Sequence, residues 1–439
     1  MRKHFNTFLV ATTISRAIGY IRDLMIAHFI GGGYWADIYY GSFRLANFFR
    51  RLVGEGGLYA AYTPLYSKLL IKDKDRANHF AQSYGILLAG VLTVAVAIGL
   101  FFIGPLARIL LPGFAKDPEK LAYAVSLSRV LLPFLLFISI AAWSQATLQA
   151  NGKFFLSSLS PAFAAIPIIL FLFFTHHTSP ANLIYGMAIA TTIGAIAQWL
   201  IQMPQLARTV PFSRDTMFSM HEDIKKSLLL FGPYILTFSI DQVNNFIDIF
   251  FGTFAETGAI TALNNSYRLI QLPIGLIGVG SLVSSLPALS QMASRNEKAG
   301  MQLELAAQKK KILLFTAPAA LIFMVFAKPI IGLLYHHGRF SDEAFAITVN
   351  TLIFSAPSLL FYSLQKIYLA IFYAHHDTRS PMINSMIQMI INVIGCATLV
   401  KTMGVAGIAL TSSVASLVGL ILLSAIVHKK GYLRTTSSS

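Results

Sequence analysis

TTISRAIGYIRD, residues 12–23, decides how the chain is read. It lies inside an apolar segment running from about Phe5 to Ile30, longer than the roughly 20 residues that cross a bilayer as a helix. Yet Arg16, Arg22 and Asp23 stand near its middle. At about 100° per residue, Thr12, Ser15, Arg16, Gly19, Arg22 and Asp23 share one face. Val10, Ile14, Ala17, Ile18, Ile21, Leu24 and Met25 take the rest. An arginine turned to lipid costs at least about 2.5–3.5 kcal/mol. The polar face is therefore expected to line a bundle interior or a wet cavity. Asp23 can neutralise one arginine as a structural ion pair, but one carboxylate does not neutralise two guanidiniums.

The surrounding chain agrees. Of 439 residues, 55% are hydrophobic and 12% charged, with mean hydropathy +0.65. Soluble domains carry about 25% charged residues, so this is a polytopic membrane protein. MRKHFNTFLV does not read as a cleavable signal, because Arg16 interrupts the apolar run and no small-residue cleavage site follows. The one cysteine, Cys396, has no partner for an internal disulfide. A formal charge of +16 would point a soluble protein toward nucleic acid; here cytoplasmic loop charge explains most of it, and no nucleic-acid partner is expected.

Twelve spanning helices are expected, at about 5–30, 34–56, 78–104, 121–150, 155–175, 182–205, 224–252, 257–290, 311–334, 343–372, 381–401 and 404–427. The connections 67–78, 206–226 and 291–311 are rich in lysine and arginine, whereas 31–33, 176–181 and 253–256 carry none. The basic side is cytoplasmic, which puts both termini there. FRLANFFRRLVGEGGL at 43–58 aligns without gaps on YRLIQLPIGLIGVGSL at 267–282, with Arg44/Arg268, Leu45/Leu269, Leu52/Leu276, Gly54/Gly278, Gly56/Gly280 and Leu58/Leu282 identical. Six helices per half, an even number, make this a parallel repeat about an axis along the membrane normal. The expected fold is all-α: two six-helix lobes, 1–222 and 223–439, around a central cationic cavity.

Further polar stripes follow the first. Asp37, Arg44, Asn47, Arg51, Gly54 and Glu55 share a face of the second span, with Arg50 off it. The eighth carries Asn264, Arg268, Gln271, Gly275 and Gly278, and the seventh Tyr234, Thr237, Asp241, Asn244, Asp248 and Gly252. Any one stripe can serve interhelical hydrogen bonding. Four of them, in paired positions of two halves, point to a shared polar cavity. Its arginine excess suits phosphate oxygens, so the expected ligand is an anion such as a pyrophosphate. Asp241 and Asp248 lack local cations and are candidates for a small cation or a proton, with Asp241 the candidate for a metal; structural hydrogen-bonded carboxylates are the alternative. Gly54, Gly56, Gly278 and Gly280 are candidate hinges, close packing being the alternative. Gly31–Gly33 reads as a turn. Lys366 lies within a span as a cavity or paired cation. There is no Walker lysine motif, HExxH or CxxC, and His176–His177, His336–His337 and His375–His376 lack metal-ligand spacing. No catalytic residue or cofactor is expected.

SRAIGYIRD, WAD, and FRLANFFRRLVGEGG followed by AAYTPLYS resemble the N-terminal signature of the MurJ (MviN) family. YRLIQLPIGLIGVGSL, YHHGRFS and FYAHHDTRSP resemble its later segments. That family comprises lipid II flippases of peptidoglycan synthesis, in the multidrug/oligosaccharidyl-lipid/polysaccharide exporter superfamily. The resemblance implies alternating access in the bacterial inner membrane, with lipid II (an undecaprenyl-pyrophosphate-linked disaccharide-pentapeptide) and membrane lipids as partners. It implies substrate binding by Ser15, Arg16, Arg22, Asp23, Asp37, Arg50, Glu55 and Arg268. The helical wheel prefers Arg51 where the motif match selects Arg50. Ala46 stands where a proline is usual, and many members have fourteen helices. Another polyprenyl-linked sugar exporter or a multidrug antiporter is the alternative. With no nucleotide motif, the drive is expected from the membrane potential, from Na+ or H+ gradients, or from downstream consumption.

Overall fold

A backbone in hydrocarbon must satisfy its own hydrogen bonds, and a helix lets one segment do so alone. The computed structural model describes residues 2–50, 62–211, 223–225, 227 and 246–433; these are mostly helical, with no strand among them. The first elements are α1 (Arg2–Ile30), α2 (Tyr34–Phe49), α3 (Thr63–Lys72), α4 (Lys74–Leu110), α5 (Pro118–Ala150), α6 (Phe154–Thr175), α7 (Pro180–Leu200) and α8 (Met203–Thr209). A helical stretch at 246–252 precedes α9 (Ala259–Pro273), α10 (Gly280–Ser294), α11 (Lys298–Val325), α12 (Ala327–Leu334), α13 (Asp342–Ala374) and α14 (Arg379–Lys429). By length and composition, seven helical stretches among the described residues can cross a membrane, or eight when α11 and α12, bent by 79°, count as one. The expected spans 34–56 and 224–252 fall partly outside the described residues. The polar stripe of α1 dilutes its hydropathy.

The last two expected spans form α14, two helical arms that meet at Gly404 within its 51 residues. It is not straight. Gly404 has φ 57°, ψ −140°. Gly395 lies against Thr411, Gly407 against Leu399 and Gly419 against Gln388, so residues roughly equidistant from position 403 face each other. The two arms are antiparallel, and the reversal falls beside the expected connection at 402–403. The Glu256 carboxylate caps the second arm, accepting the Val405 N–H at 3.2 and 3.3 Å.

The chain divides into two units: Met1–Gln242 with Gly338–Phe340, and Val243–His337 with Ser341–Ser439. In the first, α1 packs along α6, α7 lies against both α5 and α6, and α2 rests on α5. Tyr62 stacks on Tyr66 and Phe80, and its hydroxyl meets Thr147 Oγ1 at 2.7 Å, so this buried aromatic keeps its polar end satisfied. Arg76 Nε pairs with Asp223 Oδ2 at 2.8 Å. The expected turn at Gly31–Gly33 is present, with Gly31 at φ 86°. The tripeptide Gly338–Phe340 closes against it: Arg339 N–H donates to the His28 carbonyl at 2.8 Å.

In the second unit α13 is central, touching α9, α10, α11, α12 and α14. Gln365, buried on α13, donates to the Ser416 carbonyl at 2.6 Å. Beyond α13 and α14, Asp377 clamps the end of the described chain. It accepts Lys430 Nζ at 2.6 Å, Ser380 Oγ at 2.8 Å, Ser380 N–H at 3.0 Å and the Tyr432 hydroxyl at 3.1 Å. His375 stacks on Tyr432 at 4.0 Å. Burial alone would raise the Asp377 pKa, but the Lys430, Ser380 and Tyr432 donors outweigh it and hold the carboxyl well below the usual range. A carboxyl depressed in the folded state stabilises above its unfolded value of 3.8, and that contribution is lost as pH falls toward the folded value. The expected outcome is that acidification below about pH 4 lowers the amide protection factors, corrected for the intrinsic exchange rate, at residues 430–433, and that Asp377→Asn shows the lower protection already at pH 7.

Candidate functional site

Within the first unit the site begins on α1. Its apolar positions turn to neighbouring helices and lipid, which forces Ser15, Arg16, Arg22 and Asp23 onto the remaining face. Ser15 is buried and Arg16 exposed. Arg22 is mostly buried and donates Nη2 and Nε to Asp23 Oδ1 at 2.7 and 3.0 Å. Asp23 is 2% exposed. The expected structural pair therefore exists, and it takes Arg22. Arg16 has no ion pair among the described residues.

Asp37, also 2% exposed, stands in the first turn of α2, where the helix dipole favours an anion. Its Oδ2 faces Lys120 Nζ at 3.7 Å. Lys120 comes from the first turn of α5, where Asp117 accepts its backbone N–H at 3.0 Å. Its ammonium also lies over the rings of Phe114 at 4.5 Å and Tyr34 at 5.2 Å. Sequence reasoning missed Lys120. The available signal was a cation in the first turn of a capped helix, a place the dipole disfavours unless a carboxylate waits there. The pair is nearly dry, so removing one partner leaves a buried charge, at about 3–5 kcal/mol. Lys120→Met is expected to destabilise by that order, and Lys120→Met with Asp37→Leu by much less. A double-mutant cycle on thermal unfolding checks this.

Arg50, at the end of α2, is half-buried and donates Nε to Asn47 Oδ1 at 2.5 Å. Arg51, Gly54, Glu55 and Gly56 lie outside the described residues. So the structure places Ser15, Arg16, Arg22, Asp23, Asp37 and Arg50 on α1 and α2 of one unit, with Arg22 and Arg50 each oriented by a neighbour.

In the second unit Arg268 is exposed on α9, below buried Asn264 on the same stripe. A π-helical turn, Ile274–Val279, joins α9 to α10. Gly278 lies in it, and a Cβ there would sit 3.0 Å from the Ser363 Cα of α13; around Gly280 nothing lies within 4 Å. Gly278 thus occupies both a close approach and an irregular turn. Lys366 is half-buried on α13.

Asp241 lies outside the described residues, but Asp248 does not. It is buried and accepts Asn392 Nδ2 at 2.7 Å and Ser412 Oγ at 3.3 Å. Cys396 Sγ is 3.5 Å from Asn392 Oδ1. The result is a carboxylate, an amide and a hydroxyl from 246–252 and both arms of α14. Oxygen donors of this kind suit a hard cation; one carboxylate among neutral partners equally suits a proton. Among the described residues no three His, Cys, Asp or Glu side chains converge as a metal site.

The family model for lipid II flippase MurJ matches residues 26–438. The probable lipid II flippase MurJ of Rhizobium meliloti (strain 1021) is 29% identical over 442 residues, covering 98% of this chain and 81% of that one. The corresponding Vibrio cholerae serotype O1 protein is 28% identical over 437 residues, covering 97% and 82%. Among solved structures, lipid II flippase MurJ in an inward closed conformation superposes with TM-score 0.81 at 27% identity, covering 97% of this chain and 89% of that one. An inward-facing multidrug transporter of the MATE family shares the fold at TM-score 0.79 and 15% identity, covering 98% and 99%. A multi-pass, all-helical bacterial inner-membrane protein with these matches belongs to the MurJ family of lipid II flippases.

Proposed function

We propose that this chain moves lipid II from the inner to the outer leaflet of the cytoplasmic membrane, exposing its arginine-bearing face alternately to the two sides. One observation carries the reading: Arg16 and Arg22 stand mid-helix in an apolar span, and the one adjacent carboxylate is taken by Arg22. The surplus guanidinium suits a pyrophosphate, whose oxygens match its planar fork. Ser15, Arg16, Arg22, Asp23, Asp37, Arg50, Glu55 and Arg268 are the proposed contacts, and Gly54, Gly56, Gly278 and Gly280 the proposed bending points. Twelve spans with both termini cytoplasmic fit the loop charge. A drug-cation exporter would favour an acidic or aromatic face, so the multidrug reading is not preferred. The test is purified protein with labelled lipid II: saturable binding that falls in the arginine variants supports the proposal, and covalent turnover of the lipid contradicts it.

No nucleotide motif is present in the sequence, so gradients are proposed to drive the cycle. One charge crossing the membrane is worth about 2.3 kcal/mol per 100 mV. Substrate-bound arginines are largely neutralised; the empty site is cationic and is pulled toward the negative cytoplasm. The potential therefore resets the empty carrier inward. A Na+ or H+ held by Asp248, Asn392 and Ser412 couples a second gradient to the same return. The expected outcome is that depolarisation, with ion gradients clamped, raises the outward-facing fraction of substrate-free protein. A Thr12→Cys, Cys396→Ser variant probed with impermeant thiol reagents from each side checks this. Unchanged labelling counts against the reset.

A further inference from the structure

The second unit holds a groove that the transport reading leaves unused. It is open, encloses about 510 Å³, and lies between α11, α13 and α14. That volume is within the range of small-molecule sites. Leu313, Leu420 and Ile421 form apolar walls; Lys309, Tyr368 and Ser424 form a polar end. The Lys309 ammonium lies 4.6 Å from the centroid of the Tyr368 ring, and the Tyr368 hydroxyl donates to Ser424 Oγ at 3.0 Å. Lys309 has no ion pair among the described residues.

The sequence sets the groove's depth in the bilayer. Lys309, Lys310 and Lys311 run straight into Ile312, Leu313, Leu314 and Phe315, so α11 changes from headgroup to hydrocarbon character at this place. At 1.5 Å per residue Leu313 lies about 6 Å deeper than Lys309. The second arm of α14 makes the same change in reverse, from Leu420 and Ile421 through Ser424 to exposed His428, Lys429 and Lys430. One end is cationic with hydroxyls at headgroup level, and the other is apolar and faces lipid. A soluble phosphate would make no use of those walls, and a neutral chain alone would make none of Lys309. Basic pockets between membrane helices take anionic head groups.

We propose that this groove binds an anionic phospholipid, its phosphate at Lys309 and its first acyl methylenes against Leu313, Leu420 and Ile421. The Tyr368 ring holds the ammonium in place by cation–π attraction, so little side-chain freedom is lost on binding. The site lies wholly within the second unit.

The test is native mass spectrometry of the full chain titrated with phosphatidylglycerol and, separately, phosphatidylcholine. The parent is expected to bind its tightest phosphatidylglycerol in preference to phosphatidylcholine. Lys309→Gln should weaken that binding about five-fold, as expected for one lysine near an anionic lipid. Lys310→Gln, at an exposed neighbour outside the groove, should leave it unchanged. Ala425→Phe should block the groove without changing charge and weaken it as well. Lys309 is only half-buried, so its variant is expected to keep the parent's melting profile. Equal losses in Lys309→Gln and Lys310→Gln would show diffuse attraction to a basic surface and overturn the proposal. So would equal binding of the two lipids, or parental binding by Ala425→Phe.

Discussion

Arg22→Ala is expected to abolish lipid II movement by this chain while leaving it inserted in the membrane. Two effects act together. The variant removes a fixed cation from the proposed pyrophosphate face. It also strips Asp23, 2% exposed, of the guanidinium that donates to it at 2.7 and 3.0 Å. Removing one partner of a buried ion pair costs about 3–5 kcal/mol. Arg22→Lys keeps the charge but not the two-pronged donor, so it should restore function poorly. Arg16→Ala, Arg50→Ala and Arg268→Ala are each expected to lose one proposed charge-assisted contact, about 1.5–3 kcal/mol, or roughly 10- to 150-fold in substrate affinity. Complementation of a strain depleted of its own flippase, with insertion checked by membrane fractionation, reads all four. Full growth on every alanine variant would remove the anion-binding role.

The second large effect is structural. Gly404 turns the chain between the two arms of α14 at φ 57°, ψ −140°, a region nearly closed to residues with a Cβ and costing about 1–3 kcal/mol. A Cβ there would also collide with Glu256 Oε2, the carboxylate that caps the second arm at Val405 N–H. Losing a cap adds about 1 kcal/mol. Gly404→Ala is thus expected to destabilise by about 3 kcal/mol, and Glu256→Gln by the smaller cap term alone. Thermal unfolding in detergent separates the two; equal small losses would mean that the hairpin tolerates the strain.

Much of this was legible because period and polarity are local properties. Ser15, Arg16, Arg22 and Asp23 fall on one face of any helix that spans 12–23, and the structure keeps them there. The Arg22–Asp23 pair was legible for the same reason, since both partners are on one helix. The turn at Gly31–Gly33 and the reversal near 402–403 were visible from composition. What was not legible needed two distant segments. Asp37 reads as an isolated acid until Lys120 of α5 is placed against it. Asp248 acquires Asn392 and Ser412 only when both arms of α14 fold beside it. The tripeptide Gly338–Phe340, embedded in the second half of the sequence, belongs to the first unit, and no periodicity announces that. The lysine run before Ile312 read simply as loop charge; only its position beside Tyr368 and Ser424 turns Lys309 into a site.

We propose that this chain itself moves lipid II between leaflets through the arginine face on α1. The direct measurement is leaflet accessibility of labelled lipid II in cells depleted of their own flippase and supplied with this chain or its Arg16→Ala, Arg22→Ala variant. The parental chain is expected to make the lipid accessible at the outer leaflet, and the double variant, present at equal level in the membrane, to leave it in the inner one. Equal outer-leaflet accessibility with both chains, or none with the parental chain, would contradict it.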